Sequence, residues 1–282
     1  MARRKKRKDA KTRYLKRLLI VGAWAALIVA ILLAVVRWGV RSRWQGMRLE
    51  QAAQLRDSLE VVILPKGTVN EVIRYPGFTV YFNKKWHLAN CAVYELTRSE
   101  AQGTLPRMGS FETDSAVAGC ARPWDYTLSG YDRGHLVPAA DMRWSARAMA
   151  ASFKMTNVCP QAKSLNEGGW SRLEEKVREW AVRDSALIIV AGPVLSRGMA
   201  TIGRMHVGVP KRYFKVILAP YASPVRAIGF LYPNAAASKS LKHYAVSVDE
   251  VERATGYDFY DALPSDIERE VERRANLAQW LQ

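Results

Sequence analysis

Cysteine is scarce in this chain: Cys91, Cys120 and Cys159 are the three present, and no two of them form a C-x-x-C pair. A zinc centre built on paired thiolates is therefore not indicated. Three thiols leave two readings, three packed side chains or one disulfide with a spare cysteine, and the sequence does not select a pair. Histidine is nearly as sparse, at His87, His135, His206 and His243. Acidic residues are in deficit, with 26 Asp and Glu against 43 Lys and Arg, a formal net charge of +17. No internal repeat occurs, and no low-complexity tract beyond the basic N-terminus.

The positive charge is unevenly spread. Residues 1–17 carry ten Lys/Arg and one Asp, or +9; residues 18–60 carry +2, which leaves +6 for residues 61–282. The bulk of the chain is thus mildly basic, which suits a polyanion substrate without requiring one.

Residues 18–36, LLIVGAWAALIVAILLAVV, run for nineteen positions without a charge. At 1.5 Å per residue, such a helix crosses roughly the ~30 Å of a hydrocarbon core. Arg37 and Trp38 mark its far edge with the residue types that favour a membrane interface. The rival is a cleaved signal peptide, whose apolar region usually spans about 7–15 residues. No small-x-small cleavage site follows residue 36; Arg37, Arg41 and Arg43 occupy that region. We therefore expect an uncleaved single-pass anchor in a cell membrane. Ten cations precede it and four follow (Arg37, Arg41, Arg43, Arg48), which places the 1–17 tail in the cytoplasm and the rest outside it.

Residues 37–64 read as a stalk or linker, with Met47, Leu49, Ala52, Leu55 and Leu59 forming a partial apolar stripe of helical spacing. The main domain is expected over 65–282. Short β-like runs at 78–82, 91–96, 186–191, 213–218 and 227–231 alternate with turn residues. A helix is expected over 167–182, with Trp170, Leu173, Val177 and Trp180 at helical spacing. A last helix opens on the capping-box pattern Ser265-Asp266-Ile267-Glu268 and continues through Val271, Leu277 and Leu281. Strands and helices in mixed order indicate an α+β fold.

The chemistry concentrates in residues 131–178. Tyr131-Asp132-Arg133-Gly134-His135 is followed by Leu165-Asn166-Glu167-Gly168-Gly169-Trp170 and then by Leu173-Glu174 and Arg178. Cutting a phosphodiester needs a base for water, a hard cation and cationic donors to phosphate. His135 fits the base, since imidazole can stay neutral near pH 7, although a lone histidine is more often a structural hydrogen-bonder. Asn166 reads either as the N-cap of the following helix or as a neutral oxygen ligand for Mg²⁺. Glu174 lies eight residues on, about 80° past two full turns, so the two can share a helix side. Glu174 and Arg178 also read as an exposed i,i+4 ion pair.

Taken together, these segments resemble the DNA/RNA non-specific endonuclease family, which includes endonuclease G and Serratia-type nuclease. The resemblance extends through Thr156-Asn157-Val158-Cys159-Pro160-Gln161, Ala191-Gly192-Pro193-Val194, Val209-Pro210 with Phe214-Lys215-Val216, and Val246-Ser247-Val248-Asp249-Glu250-Val251-Glu252 with Thr255-Gly256. It covers roughly residues 65–265. Cys159 departs from it, standing where a small polar or apolar residue is expected. The resemblance implies a ββα-metal nuclease fold with a central mixed or antiparallel sheet. It makes His135 the general base and Asn166 the direct ligand of Mg²⁺, with Mn²⁺ as an alternative. Glu174 looks like the carboxylate that orients water on the ion. Arg133 and Arg178 match phosphate-neutralising positions, and Asn157 matches an asparagine near the site that contacts nucleic acid.

The activity so implied is a membrane-anchored, Mg²⁺-dependent, non-specific endonuclease acting on DNA, RNA or both and leaving 5′-phosphate ends. The alternative is a surface component that captures nucleic acid for uptake with little or no cleavage. A small-nucleotide phosphodiesterase would need a closed pocket. The intact His135/Asn166/Glu174 set favours cleavage, because a pure binder needs neither base nor metal ligand. A homodimer is compatible with the sequence.

Overall fold

The computed structural model describes residues 57–282, together with residues 27 and 29–31, which are helical. The chain divides into two units, Met1–Ala52 and Ala53–Gln282. No helix among the described residues is long and apolar enough to cross a membrane. The 18–36 anchor and most of the stalk lie outside the described residues, residues 27 and 29–31 apart.

Strands and helices of the second unit run in mixed order. In chain order, the strands are β1 (Val62–Ile63), β2 (Glu71–Tyr75), β3 (Phe78–Asn83), β4 (Leu88–Thr97), β5 (Asp132–His135), β6 (Val158–Gln161), β7 (Ala186–Pro193), β8 (Thr201–Ile202), β9 (Val207–Gly208), β10 (Arg212–Ala219), β11 (Arg226–Pro233), β12 (Ala245–Val246) and β13 (Asp258–Phe259). The helices are α1 (Arg98–Ala101), α2 (Ala146–Ser152), α3 (Ser171–Asp184), α4 (Leu241–Tyr244), α5 (Val248–Thr255) and α6 (Ser265–Glu272). A seven-stranded sheet in the order β12-β11-β10-β7-β4-β3-β2 forms the centre. Every pair in it is antiparallel. The five strands read from the sequence are all present, each longer by one to four residues.

The middle strands are apolar at nearly every position because both sheet faces are covered. Along β10, alternate side chains point to opposite faces. Tyr213 and Ile217 join the large core cluster that contains Trp170, Leu173, Val177 and Trp180 of the α3 side. Phe214 instead meets Tyr257 and Phe259, at 6.1 and 5.7 Å between ring centroids. Gly229, the register partner of Val216, lies so close to Val251 of α5 that a Cβ there would meet its methyl at 2.7 Å. One face therefore carries α3 and the other carries α5 with the segment behind it. An antiparallel strand loses its alternating pattern under such double cover.

Two sequence expectations are corrected. Val62 and Ile63, placed in the stalk by sequence, form β1 and pair with β13. The Ser265 capping box does not form: Pro264 occupies the N-cap without a side-chain bond, and α6 ends at Glu272, before Leu277 and Leu281. Capping boxes occur at Thr97/Glu100 and Ser247/Glu250 instead. The three cysteines are buried free thiols.

Candidate active site

Strands β5 and β6 form a separate antiparallel pair, with His135 opposite Val158 and Gly134 opposite Cys159. This hairpin sits on the α3 side of the sheet, where the Tyr213 hydroxyl donates to the Pro160 carbonyl at 2.7 Å. Gly134 is required by close approach, since any Cβ there would collide with the Gln161 side chain. The chain then turns through Leu165–Trp170, a wide helical turn kinked at Gly168 (φ −109°, ψ −108°), before α3 begins. Asn234 ties this turn to the hairpin: its Oδ1 accepts from the Ala162 N–H at 2.7 Å, and its Nδ2 donates to the Pro160 carbonyl at 3.0 Å. Strand, strand and helix in this order make a ββα unit.

The unit lines a cleft of about 560 Å³ that brings together Arg133, His135, Asn166, Glu174 and Arg178. Asp132, Arg107 and Phe111, to which the sequence reading assigned no role, line it too. Asn157 is not among the lining residues. It is fully buried, and its amide is spent on the backbone. Its Nδ2 donates to the carbonyls of Val137 and Ser152, both at 2.9 Å, while its Oδ1 accepts from the Val137 N–H at 3.0 Å. In place of a nucleic-acid contact, Asn157 braces the backbone that leaves His135.

His135 is gripped by aromatic rings. Phe111 and Phe153 lie 5.0 and 5.1 Å from it, the second edge-on. Its Nε2 has no hydrogen-bond partner among the described residues. Burial pushes the imidazole down to about 3, and the Arg107 guanidinium pushes in the same direction. The ring is thus neutral at physiological pH, the form a base must start from.

Asn166 does not cap the helix. It lies inside the kinked turn, and its Nδ2 donates to Asp132 Oδ2 at 3.0 Å. The donor end of the amide is occupied by a carboxylate, which leaves the carbonyl oxygen as the free end. The kink also replaces the unbroken helix that an 80° rotation from Asn166 to Glu174 assumes; the two still reach one cleft.

Glu174 and Arg178 do not pair with each other. Arg178 Nη1 donates to buried Asp141 Oδ1 at 2.9 Å, and the Tyr94 hydroxyl donates to Asp141 Oδ2 at 2.7 Å. Glu174 Oε1 stands 3.6 Å from Lys215 Nζ. Lys215 is 0% exposed and rests over the Trp170 ring, 4.7 Å from its centroid. Burial pushes the Glu174 carboxyl up to about 7, with Lys215 opposing the rise; burial likewise lowers Lys215. A buried lysine needs such a partner, since an unpaired interior charge is costly. Lys215 interrupts an apolar strand between Phe214 and Val216, and that break was the signal for it in the sequence. Arg133 donates through Nε to the Pro123 carbonyl at 3.1 Å and lies over Phe111, which aims its remaining donors.

Residues 58–266 match the model of the family described as DNA/RNA non-specific endonuclease. The chain belongs to that family. It is 34% identical over 212 residues to a nuclease of Nostoc sp., a match covering 71% of this chain and 76% of the relative. It is 36% identical over 148 residues to the mitochondrial endonuclease G of Bos taurus, covering 48% of this chain and 50% of that protein. A chain of the solved EndoG/EndoGI complex shares the fold at a TM-score of 0.67 and 23% identity, covering 70% of this chain and 88% of that one. The enzyme class is that of a nuclease, a hydrolase acting on nucleic acid.

Proposed function

We propose that the protein is a Mg²⁺-dependent, non-specific endonuclease that hydrolyses DNA, RNA or both to 5′-phosphate products. The observation that carries this reading is a neutral His135 that lines the same cleft as Asn166 and Glu174. The donor set fits a hard cation. The Asn166 carbonyl is free and its amide is held by Asp132, while Glu174, whose Oε1 is ion-paired with Lys215, lines the same cleft. Asn166 and, through water, Glu174 would hold the ion; Mn²⁺ suits the same oxygens. When bound, the ion supplies positive charge at the phosphate and at the departing 3′-oxygen.

The protein's own residues supply the rest. His135 takes a proton from water as that water attacks phosphorus and the bond to the 3′-oxygen breaks. Arg107, Arg133 and Arg178 present cationic donors to the phosphate, and Asp141 holds Arg178 in position. Contact with phosphate and sugar alone gives little sequence preference. We also propose that residues 18–36 anchor the enzyme with its nuclease domain outside the cytoplasm, supported by the uncharged run and the cations before it.

Supercoiled plasmid and structured RNA incubated with the purified protein test the proposal. Cleavage in Mg²⁺, its abolition by chelator and 5′-phosphate at the new ends are expected. Cleavage unaffected by chelator, or tight binding without cleavage, contradicts it.

A further inference from the structure

In the layer on the other sheet face, α5 and α6 bring Asp249, Glu252 and Glu272 together, with carboxylate oxygens within 4.8 Å of one another. Asp258, Asp261 and Glu268 form a second trio of the same kind. The charges that act most strongly on Glu272 are Glu252, Glu268, Asp249 and Asp258, all acidic.

Glu272 is the decisive residue. It is 6% exposed, and its Oε1 has no hydrogen-bond donor among the described residues. A buried carboxylate is normally paired with a cation or ringed by N–H donors. The charged groups acting on Glu272 are all acidic, and a bound cation would supply the missing partner. Glu252 is fixed for the purpose, because its Oε1 accepts the Phe259 N–H at 3.0 Å. Burial pushes the Glu272 carboxyl up to about 9, with Glu252 adding to the rise; a bound cation would oppose both.

We propose that Asp249, Glu252 and Glu272 form a Ca²⁺ site that ties α5 to α6, separate from the cleft. Oxygens bound to one Ca²⁺ at about 2.3–2.6 Å lie within roughly 5 Å of each other, so the three acids can share one ion where they stand. Mg²⁺ is the poorer fit, since it keeps most of its waters and takes one or two carboxylates.

The test is thermal unfolding of the full-length protein in detergent, with and without CaCl₂, beside three variants. At Ca²⁺ about a hundredfold above its Kd, the midpoint of the wild type should rise by about 5–10 °C. Asn166→Ala, which removes the cleft ligand, should keep that rise. Glu272→Gln should lose it, and so should Asp249→Asn, a partly exposed change that leaves the buried layer intact. An unchanged midpoint in the wild type overturns the site. So does an equal rise in both carboxylate variants, or a rise that disappears only in Asn166→Ala, which would assign the ion to the cleft.

Discussion

His135 shows how a single side chain is prepared for its task. Phe111 and Phe153 pack against the ring, which stays partly exposed where it lines the cleft. This packing has a thermodynamic consequence. An unfolded imidazole takes up its proton near pH 6.5, whereas the folded one resists until about 3. Between those values the unfolded chain binds more protons, so stability is full above pH 6.5 and declines as pH falls toward 3. We predict that His135→Asn flattens this part of the profile: denaturant melts at pH 7.5 and 4.5 should differ less for the variant than for the wild type. Parallel profiles would mean that the ring is solvated. Lys215 and Glu174 pose the opposite case, two charges kept buried by mutual attraction and the Trp170 ring. Together they hold Glu174 in the cleft that Asn166 also lines.

At the scale of elements, the ββα unit positions everything. The hairpin offers His135 and Asp132, the kinked turn offers Asn166, and α3 offers Glu174 and Arg178. Asn157 stabilises the exit from β5, so we predict that Asn157→Ala acts on folding. It strands three buried backbone partners, each worth about 1–3 kcal/mol when unsatisfied. A fall in stability of at least ~2 kcal/mol is expected, with nucleic-acid affinity of the folded fraction unchanged. Wild-type melting with weakened binding would return Asn157 to the substrate. The strands were legible because double cover turns them into apolar runs, as in 186–191 and 213–218. His135, Asn166, Glu174 and Arg178 were legible as chemistry, and the structure places them in one cleft. Their partners were not. Asp141 is 37 residues from Arg178, and Lys215 on β10 pairs with Glu174 on α3, separations no local pattern encodes. The kink at Gly168 was hidden because Trp170, Leu173 and Val177 keep helical spacing beyond it. The Ser265 box failed because Pro264 takes the cap position and moves serine one step inside.

Across the whole molecule, charge is partitioned: +9 on residues 1–17, then the apolar run 18–36, then a domain of mild positive charge. A basic segment resists translocation, so we predict that the protein sediments with membranes and that protease added to intact spheroplasts removes the nuclease domain. A small protected N-terminal fragment should remain; a domain protected until lysis would reverse the topology. Export of the domain would keep a non-specific nuclease away from the nucleic acid of its own cell. The central claim is that one neutral histidine drives hydrolysis in a cleft whose arginines bind the phosphate independently of it. The most direct test compares wild type and His135→Ala for plasmid cleavage in Mg²⁺ and for plasmid binding in parallel. The account predicts that cleavage falls by about 10²–10⁴-fold while binding stays within a few-fold of wild type. Cleavage near the wild-type rate would contradict it, and would leave the cleft as a place where nucleic acid is held and not cut.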